Sequence, residues 1–410
     1  MKKNDKKQIK KPNWIVYSIA FILAYPFVRL FFRVKVSRGD FKLPEGPVIV
    51  VCNHQSFMDF IHVLLSLYPR RFHGIVAQKY FFYPPMSWFL PLMGCIPKNL
   101  FEPDARAVIN MIKVIKSGDS LLLFPEGRIS TDGTYAGIHK ATGKLIKKLG
   151  VPVISCTVEG AYVCMPFWRK GVRRGNLNVT FSNLISSEET KRLSVDEINT
   201  RIDDMLEKAD TAPDKEQFYV FGNKRLIEGL ESIIYFCPCC SEQFKMKTGG
   251  NRIWCTACKS EAAMDRYARL SSKQCLPKSV QEWYRLQAAL EMQSLSENME
   301  PIIIPVDLKI MSVTAGGLES CGRGKLSLDP KGWCYDGELN GEEVQKFFPI
   351  DTVPALPWDP DTNFQIYSDG KFHAFLPYEN TGACLKYSIL GECAYFRFAS
   401  DVQITKPIIR

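Results

Sequence analysis

Five short, apolar, strand-forming runs lie at 47–52, 74–78, 120–124, 151–157 and 177–181, with segments of helical period between them. This alternation constrains the chain most. Strands that alternate with amphipathic helices bury all their apolar faces only in a layered α/β arrangement. Within 104–118, Ala107, Met111, Val114 and Ile115 recur at helical spacing and Gly118 ends the run. Within 137–150, Ile138, Ala141, Leu145 and Leu149 share one face, and Lys140, Lys144 and Lys148 the other, which reads as a solvated surface. With 410 residues, 46% of them hydrophobic, the chain has material for two or three domains with a sizeable core.

Six lysines precede an apolar run of 19 residues, 14–32. A spanning helix needs about 20 such residues, but Pro26 and Arg29 interrupt this one. Arg29, Arg33, Lys35 and Arg38 make its far side basic too, whereas a span wants its positive charge biased to one end. The run is therefore expected to lie in one leaflet as a helix or helical hairpin, both ends cytoplasmic. A true span and a buried soluble helix are the alternatives. No small-residue cleavage site follows it, which speaks against a removed signal peptide. The net charge of +10 favours an anionic partner: a membrane surface, a phosphorylated substrate or nucleic acid. The aromatic stretch 80–97 is broken by four prolines and reads as a core loop or an interfacial wedge.

The first strand runs into "NHQSFMD", where His54 and Asp59 stand at H-x-x-x-x-D spacing. A histidine at a sheet mouth can accept a proton near neutral pH. A carboxylate on its other ring nitrogen fixes the tautomer and stabilises the imidazolium. Ser56 and Asp59 also form an S-x-x-D capping pattern, so Asp59 has a helix-capping reading beside the catalytic one. The third strand runs into "FPEGRIS", where Glu126 and Arg128 project from a turn shaped by Pro125 and Gly127. Ligands bind at such strand ends, and guanidinium suits phosphate because it is planar, charged and bidentate. The alternative is an ordinary exposed turn.

Together these motifs resemble those of the glycerophospholipid acyltransferases, which include the lysophosphatidic acid acyltransferases. Asn53-His54-Gln55-Ser56-Phe57-Met58-Asp59 matches the family's N-H-x-x-x-x-D motif, and Phe124-Pro125-Glu126-Gly127 its F-P-E-G motif. "GCIPKN" fits a second motif loosely, with Lys98 where arginine is usual, and "VPVISCTVEGA" a valine-proline segment. The resemblance covers roughly 40–210. One departure is Arg128-Ile129-Ser130 after F-P-E-G, where T-R-S is commonest. It is similar to bacterial lysophosphatidylethanolamine acyltransferases and leaves acceptor choice open.

The resemblance implies transfer of a fatty acyl group from acyl-CoA or acyl carrier protein to a lysophospholipid hydroxyl, with lysophosphatidic acid giving phosphatidic acid in phospholipid biosynthesis. Lysophosphatidylethanolamine and glycerol phosphate are the alternative acceptors. His54 is expected to act as base and Asp59 to support it. Lys98, Glu126, Gly127 and Arg128 are expected to bind the acceptor. Backbone amides past the strand end are expected to face the oxyanion. Cys52 is the competing nucleophile, although a cysteine in "VIVVC" reads as a small core residue. A non-enzymatic lipid-binding membrane adaptor is the alternative of another class, and the intact His54, Asp59 and Glu126 argue against it.

Fourteen cysteines suggest a disulfide scaffold until their placement is read. Cys237-x-x-Cys240 and Cys255-x-x-Cys258, fourteen residues apart, offer four thiolates for a tetrahedral site, as in a structural zinc ribbon. Cys239 could replace Cys240 at the cost of a shorter spacer, and a redox pair is the runner-up. The ribbon lacks a basic-aromatic platform, which argues against nucleic acid as partner.

A helix is expected over 279–299. From 301 onward, "PIIIPVDL", "GKLSLDPKGWCYDGEL", "NFQIYSDGKFHAFLP" and "AYFRFAS" read as short strands of a small all-β domain, loosely pleckstrin-homology-like. The expected organisation is a basic, apolar membrane-associating segment at 1–40, the acyltransferase domain at 41–232, the ribbon at 233–270, a helical linker at 271–300 and the β-rich domain at 301–410. Membrane lipids are the expected partners, at the cytoplasmic face, with a protein partner for the ribbon or the β-rich domain as a further possibility.

Overall fold

The structure, a computed structural model, describes residues 10–101, 103–209, 218–312, 318–360, 362–378 and 382–407. Lys2, Lys3, Lys6 and Lys7 of the basic N-terminus lie outside them. The chain forms two compact units. Unit 1 comprises Met1–Ile129, Ile138–Ala161 and Gly175–Asp210, and unit 2 comprises Ser130–Gly137, Tyr162–Arg174 and Thr211–Arg410.

Unit 1 begins with α1 (Trp14–Phe31) and β1 (Phe32–Ser37), followed by β2 (Ile49–Cys52), α2 (Asp59–Leu67), β3 (Phe72–Ala77), α3 (Met86–Leu92) and β4 (Ile96–Lys98). Then come α4 (Ala105–Lys116), β5 (Ser120–Leu123), α5 (Ala141–Leu149), β6 (Val153–Glu159), β7 (Gly175–Ile185), α7 (Ser187–Arg192) and α8 (Val195–Lys208), while α6 (Ala161–Cys164) passes into unit 2 after its first residue. The strands form one sheet in the order β1-β7-β6-β2-β5-β3-β4. β6, β2, β5, β3 and β4 run parallel, so their C-terminal ends share one edge, and β7 runs antiparallel to β6. Central β2 and β5 are buried at every residue, as strands covered on both faces must be.

The sequence reading anticipated the central strands but not β1 or β4. β1 continues directly from the apolar run, and β4 contains Pro97, which an edge strand tolerates because one side of its ladder is open. The buried stripe of α5 is Gly143, Ile146 and Leu149, not the expected Ala141 and Leu145. α8 decides this. A Cβ at Gly143 would stand 2.5 Å from Val195 O, so the two helices touch at the glycine. Gly143 N donates to Asn199 Oδ1 at 2.8 Å there.

Unit 2 holds a four-stranded ribbon sheet, β8 (Met246–Gly249), β9 (Arg252–Cys255), β10 (Glu261–Met264) and β11 (Leu270–Ser271). α9 (Val280–Ser294) follows, capped by Ser279. β12 (Ile302–Ser312), β13 (Leu318–Asp329), β14 (Gly332–Leu339), β15 (Glu342–Pro349), β16 (Trp358–Asp359), β17 (Asn363–Ser368) and β18 (Lys371–Pro377) come next. They form an antiparallel sheet in the order β15-β14-β13-β12-β18-β17-β16. The tail then closes with α10 (Ala383–Phe398). The sheet answers the expected β-rich domain, but "AYFRFAS" is not a strand. Its residues up to Phe398 form the last turns of α10, which is buried on nearly every side, so the amphipathic period that marks a surface helix is missing. α9, in the segment read as a linker, buries Trp283, Gln287 and Ala288 in the core of unit 2. Gln287 Oε1 accepts from Tyr235 N (2.9 Å) and Phe236 N (3.1 Å), and its Nε2 donates to Ile233 O (2.9 Å). A fully buried amide is thereby satisfied while holding the irregular segment that enters the ribbon.

Candidate active site

β2 delivers His54 to the C-terminal edge of the sheet, and the next strand, β5, delivers Phe124 and Glu126 beside it. Asn53 sets the exit. Its Oδ1 accepts from Val158 N at 2.7 Å and its Nδ2 donates to Val158 O at 2.9 Å, tying the end of β2 to β6. The chain then turns back on itself, with Asp59 N donating to Ser56 O at 3.2 Å and opening α2.

Asp59 is fully buried. Its Oδ2 accepts from Gln55 N (2.7 Å) and Ser56 N (2.8 Å) and lies 3.1 Å from His54 Nδ1. Asp59 is thus placed as the partner of the histidine, whereas the expected Ser56 cap does not form: α2 starts at Asp59 itself with Met58 as N-cap, and Ser56 Oγ accepts from Met58 N at 3.1 Å within the preceding turn. With a carboxylate as its neighbour, Nδ1 carries the proton and Nε2 keeps its lone pair. The His54 ring stacks on Phe124, centroids 4.3 Å apart, and the side chain retains 19% of its exposure. It is braced on two sides and still reachable.

Glu126 Oε1 accepts from His54 N at 2.8 Å, a link across 72 residues between the two motifs. With His54 N on Glu126 and the next two amides on Asp59, the backbone just past β2 is committed internally. These three amides do not form the expected oxyanion hole. Gly127 is exposed with φ +70°, which a glycine adopts without strain, and Arg128 follows, half-buried.

Lys98 ends β4 at the same sheet edge, but β3 lies between β4 and β5, so it stands about 10 Å from β5 by strand spacing. Its Nζ donates to Asn99 O at 2.9 Å. Burial first, then the charges of Lys98 and Lys144, lower the proton affinity of His139. Lys98 thus sits in a basic corner, and His139 is a neighbour that the sequence reading missed. Asn53 and Phe124 were quoted in motifs without a role. Their partners lie on other strands, so no local pattern exposes what they do.

Cys52 is completely buried. Burial first, then the adjoining Cys156 thiol and the charges of Asp59 and Glu126, push its thiol well above the ordinary range. A thiol held protonated is a poor nucleophile, which agrees with reading Cys52 as a core residue.

The four ribbon cysteines converge. All four sulfurs lie within 4.8 Å of one another, a group that could hold a metal ion. Cys237 and Cys258 are 3.7 Å apart and Cys240 and Cys255 3.8 Å. A tetrahedron with Zn–S near 2.3 Å has sulfur edges of about 3.8 Å, so the residues fit zinc. Each pair sits on a tight knuckle: Ser241 N donates to Cys237 O (2.8 Å) and Lys259 N to Cys255 O (3.0 Å), with Ser241 and Lys259 both at positive φ. Hydrogen bonds from Ser260 pull the Cys258 thiol down to about 6. Cys239 does not replace Cys240 in the cluster. It is disulfide-bonded to Cys275, with Cα atoms 5.8 Å apart, a pairing the spacing did not reveal.

Residues 33–159 match the acyltransferase family model. The chloroplast 1-acyl-sn-glycerol-3-phosphate acyltransferase LPAT1 of Arabidopsis thaliana is 31% identical over 180 residues, covering 43% of this chain and 49% of that protein. A 1-acyl-sn-glycerol-3-phosphate acyltransferase of Streptococcus pneumoniae is 25% identical over 155 residues, covering 37% of this chain and 55% of that protein. The chain thus spans about half the length of these relatives. The crystal structure of the 1-acyl-sn-glycerophosphate acyltransferase PlsC from Thermotoga maritima aligns with a TM-score of 0.42 at 23% identity, covering 47% of this chain and 77% of that one.

Proposed function

From an acyltransferase-family domain at residues 33–159, we propose that the chain acylates the free hydroxyl of a lysophospholipid, lysophosphatidic acid giving phosphatidic acid, with acyl-CoA or acyl carrier protein as donor. The observation that carries this is the buried Asp59 carboxylate on His54 Nδ1, which leaves Nε2 as a base at a reachable strand end. His54 Nε2 takes the hydroxyl proton as the oxygen attacks the thioester carbonyl. The tetrahedral intermediate collapses, the C–S bond breaks, and the imidazolium returns the proton to the leaving thiolate. The products are an ester and a free thiol, with no acyl-enzyme required. General base catalysis of this kind contributes about 100- to 10,000-fold. Arg128 and Lys98 orient the acceptor phosphate, and Glu126 holds the His54 backbone in register while facing the acceptor's glycerol.

Membrane association follows from α1. One side of the helix packs on unit 1 through buried Tyr17 and Val28 and a Phe21–Tyr68 stack at 3.8 Å. The other side exposes Trp14, Ile15, Ile19, Ile22, Leu23 and Leu30. The helix is long and apolar enough to cross a bilayer, but both of its ends are basic, whereas a span has its positive charge biased to one end. It sits in one leaflet, and the basic residues at both ends face cytoplasmic headgroups. The ribbon's ion is structural zinc: four thiolates leave no position open for substrate or water, and the metal would supply folding energy rather than chemistry.

The test is purified full-length protein with labelled acyl-CoA or acyl carrier protein and a panel of lysophosphatidic acid, lysophosphatidylethanolamine and glycerol phosphate. Labelled phosphatidic acid as main product is the expected result. No transfer to any acceptor would overturn the proposal.

A further inference from the structure

The sequence shows no basic-aromatic platform in the ribbon, but the structure gathers a small one at the turn between β10 and β11. All of its residues belong to unit 2. Asp265 builds the turn. Its Oδ1 accepts from Tyr267 N (2.8 Å) and Arg269 N (3.0 Å), and its Oδ2 accepts from Arg269 Nε at 2.8 Å. The segment 218–221 comes alongside through Val220 N, which donates to Arg266 O at 3.0 Å. Burial alternates along that segment. Phe218 and Val220 enter the core, so Tyr219 and Phe221 project on the other side, as in any extended chain.

Arg266 lies against rings from both segments. Its guanidinium carbon is 4.1 Å from the centre of the Tyr219 ring and 5.7 Å from that of Tyr267. The neighbouring arginines are committed to acids: Arg269 to Asp265 at 2.8 Å and Arg252 to Glu261 at 3.5 Å. Among the described residues no carboxylate pairs with Arg266, and its buried Nε has no hydrogen-bond partner. A charged donor left this way costs stability until an acceptor arrives. Stacking uses only the flat faces of a guanidinium. Its N–H groups lie in the plane, so a ring against one face steadies the fork and leaves its edge to an oxyanion.

We propose that Arg266 is a receptor for the phosphate of an anionic phospholipid headgroup, a role that rests on the membrane association proposed above. Phosphate offers a planar fork several strong acceptor oxygens, and one uncommitted arginine suits one phosphate. A nucleic-acid strand needs a run of cations along its backbone, and the adjoining arginines are already paired. It also needs open, parallel ring faces for successive bases. Here Arg266 lies on Tyr219, and Tyr219 meets Phe221 and Tyr267 edge-on, at 69° and 60°. Half-buried tyrosines suit the headgroup layer instead, where the ring is covered and the hydroxyl stays wet.

The experiment uses the full chain and two readouts. Co-sedimentation compares vesicles of phosphatidylcholine with vesicles of phosphatidylcholine and phosphatidic acid in equal parts. Amide hydrogen exchange at 265–269 is followed with dioctanoyl phosphatidic acid, inorganic phosphate or a single-stranded oligonucleotide. Arg266→Gln is expected to weaken binding to the phosphatidic acid vesicles about tenfold, the size of one charge-assisted hydrogen bond. It is also expected to remove the protection that the soluble lipid gives at 265–269. Arg266→Lys keeps the charge without the fork and is expected to recover only part of both. Arg323→Gln, which removes the same charge from an exposed position on β13, is expected to match wild type. If Arg266→Gln fails to fold, Arg266→Met, which keeps an apolar stem, gives the same readouts. Wild-type binding and protection in a folded Arg266 variant overturn the receptor alone, as does an equal loss in Arg323→Gln. Equal protection by inorganic phosphate and by the lipid overturns the headgroup assignment, and protection by the oligonucleotide alone overturns the choice of partner. Wild-type protein that sediments with neither vesicle overturns the membrane association itself and this role with it.

Discussion

Asp59 Oδ2 is shared between the His54 ring and the backbone of the turn that joins the two residues: it lies 3.1 Å from Nδ1 and accepts from Gln55 N and Ser56 N within 2.8 Å. One carboxylate oxygen thus sets the tautomer and builds the turn that brings it there. His54→Ala should lower acyl transfer by about 100- to 10,000-fold with the fold retained. Asp59→Asn should lower turnover with a smaller change in stability, because the amide oxygen can take the place of Oδ2 on the three donors but brings no charge to stabilise the imidazolium. The check is turnover beside a urea transition for each variant. His54→Ala with more than a tenth of wild-type turnover would remove His54 as the base.

Asn53 is the second prediction. Asn53→Ala leaves both the N–H and C=O of Val158 without the partner they have now, inside a buried sheet. The expected cost is at least about 2 kcal/mol, with turnover reduced because the exit of β2 aims His54. Wild-type urea stability and turnover in Asn53→Ala would show that the clamp is dispensable.

Cys52→Ala should stay active. Its thiol is buried and pushed well above the ordinary range, first by burial and then by Cys156, so it stays protonated across the working pH. Mass spectrometry of protein quenched during turnover should find no acyl group on Cys52. A trapped Cys52 thioester would replace direct attack with a covalent route.

Ile22→Glu with Leu23→Glu, on the exposed side of α1, should cut co-sedimentation with anionic phospholipid vesicles severalfold, since each apolar side chain contributes about 2 kcal/mol when buried. Turnover on a micellar acceptor should change less. Undiminished sedimentation would move the membrane contact to the exposed Tyr83 and Trp88 of 80–97.

Cys255→Ser should release zinc and unfold the ribbon locally, lowering turnover only through the parts the ribbon supports. Zinc binding should also weaken as pH falls. Cys258, at about 6, is largely thiolate at pH 8 and about half protonated at pH 6, and protons compete with metal for sulfur. Chelator competition at the two pH values, with elemental analysis, checks both points. Wild-type protein purified without chelator and free of metal would remove the zinc assignment.

Several features were legible because they are local. The strand–helix alternation of unit 1, the helices expected within 104–118 and 279–299, and the convergence of the four ribbon cysteines depend on neighbours a few residues away. His54 and Asp59 belong here too, since a turn of five residues suffices to join them. β4, with a proline in three residues, and α10, apolar on nearly every side, carry no such local signature, and both were misread or missed.

What the sequence determined by itself was which residue types stand at which strand ends, because period, turn chemistry and ligand spacing act over one or two turns of chain. What only the tertiary structure decided was which strand ends become neighbours. Asn53 meets Val158 across 105 residues and Glu126 meets His54 across 72. Gly143 proves to be a point of helix contact only because α8 lies on it, and the loop after Arg128 joins unit 2 because Gln281 and Tyr162 hold it. Such pairings follow from burying whole faces together in one packing, a choice made by the sum of long-range contacts that no window of sequence contains.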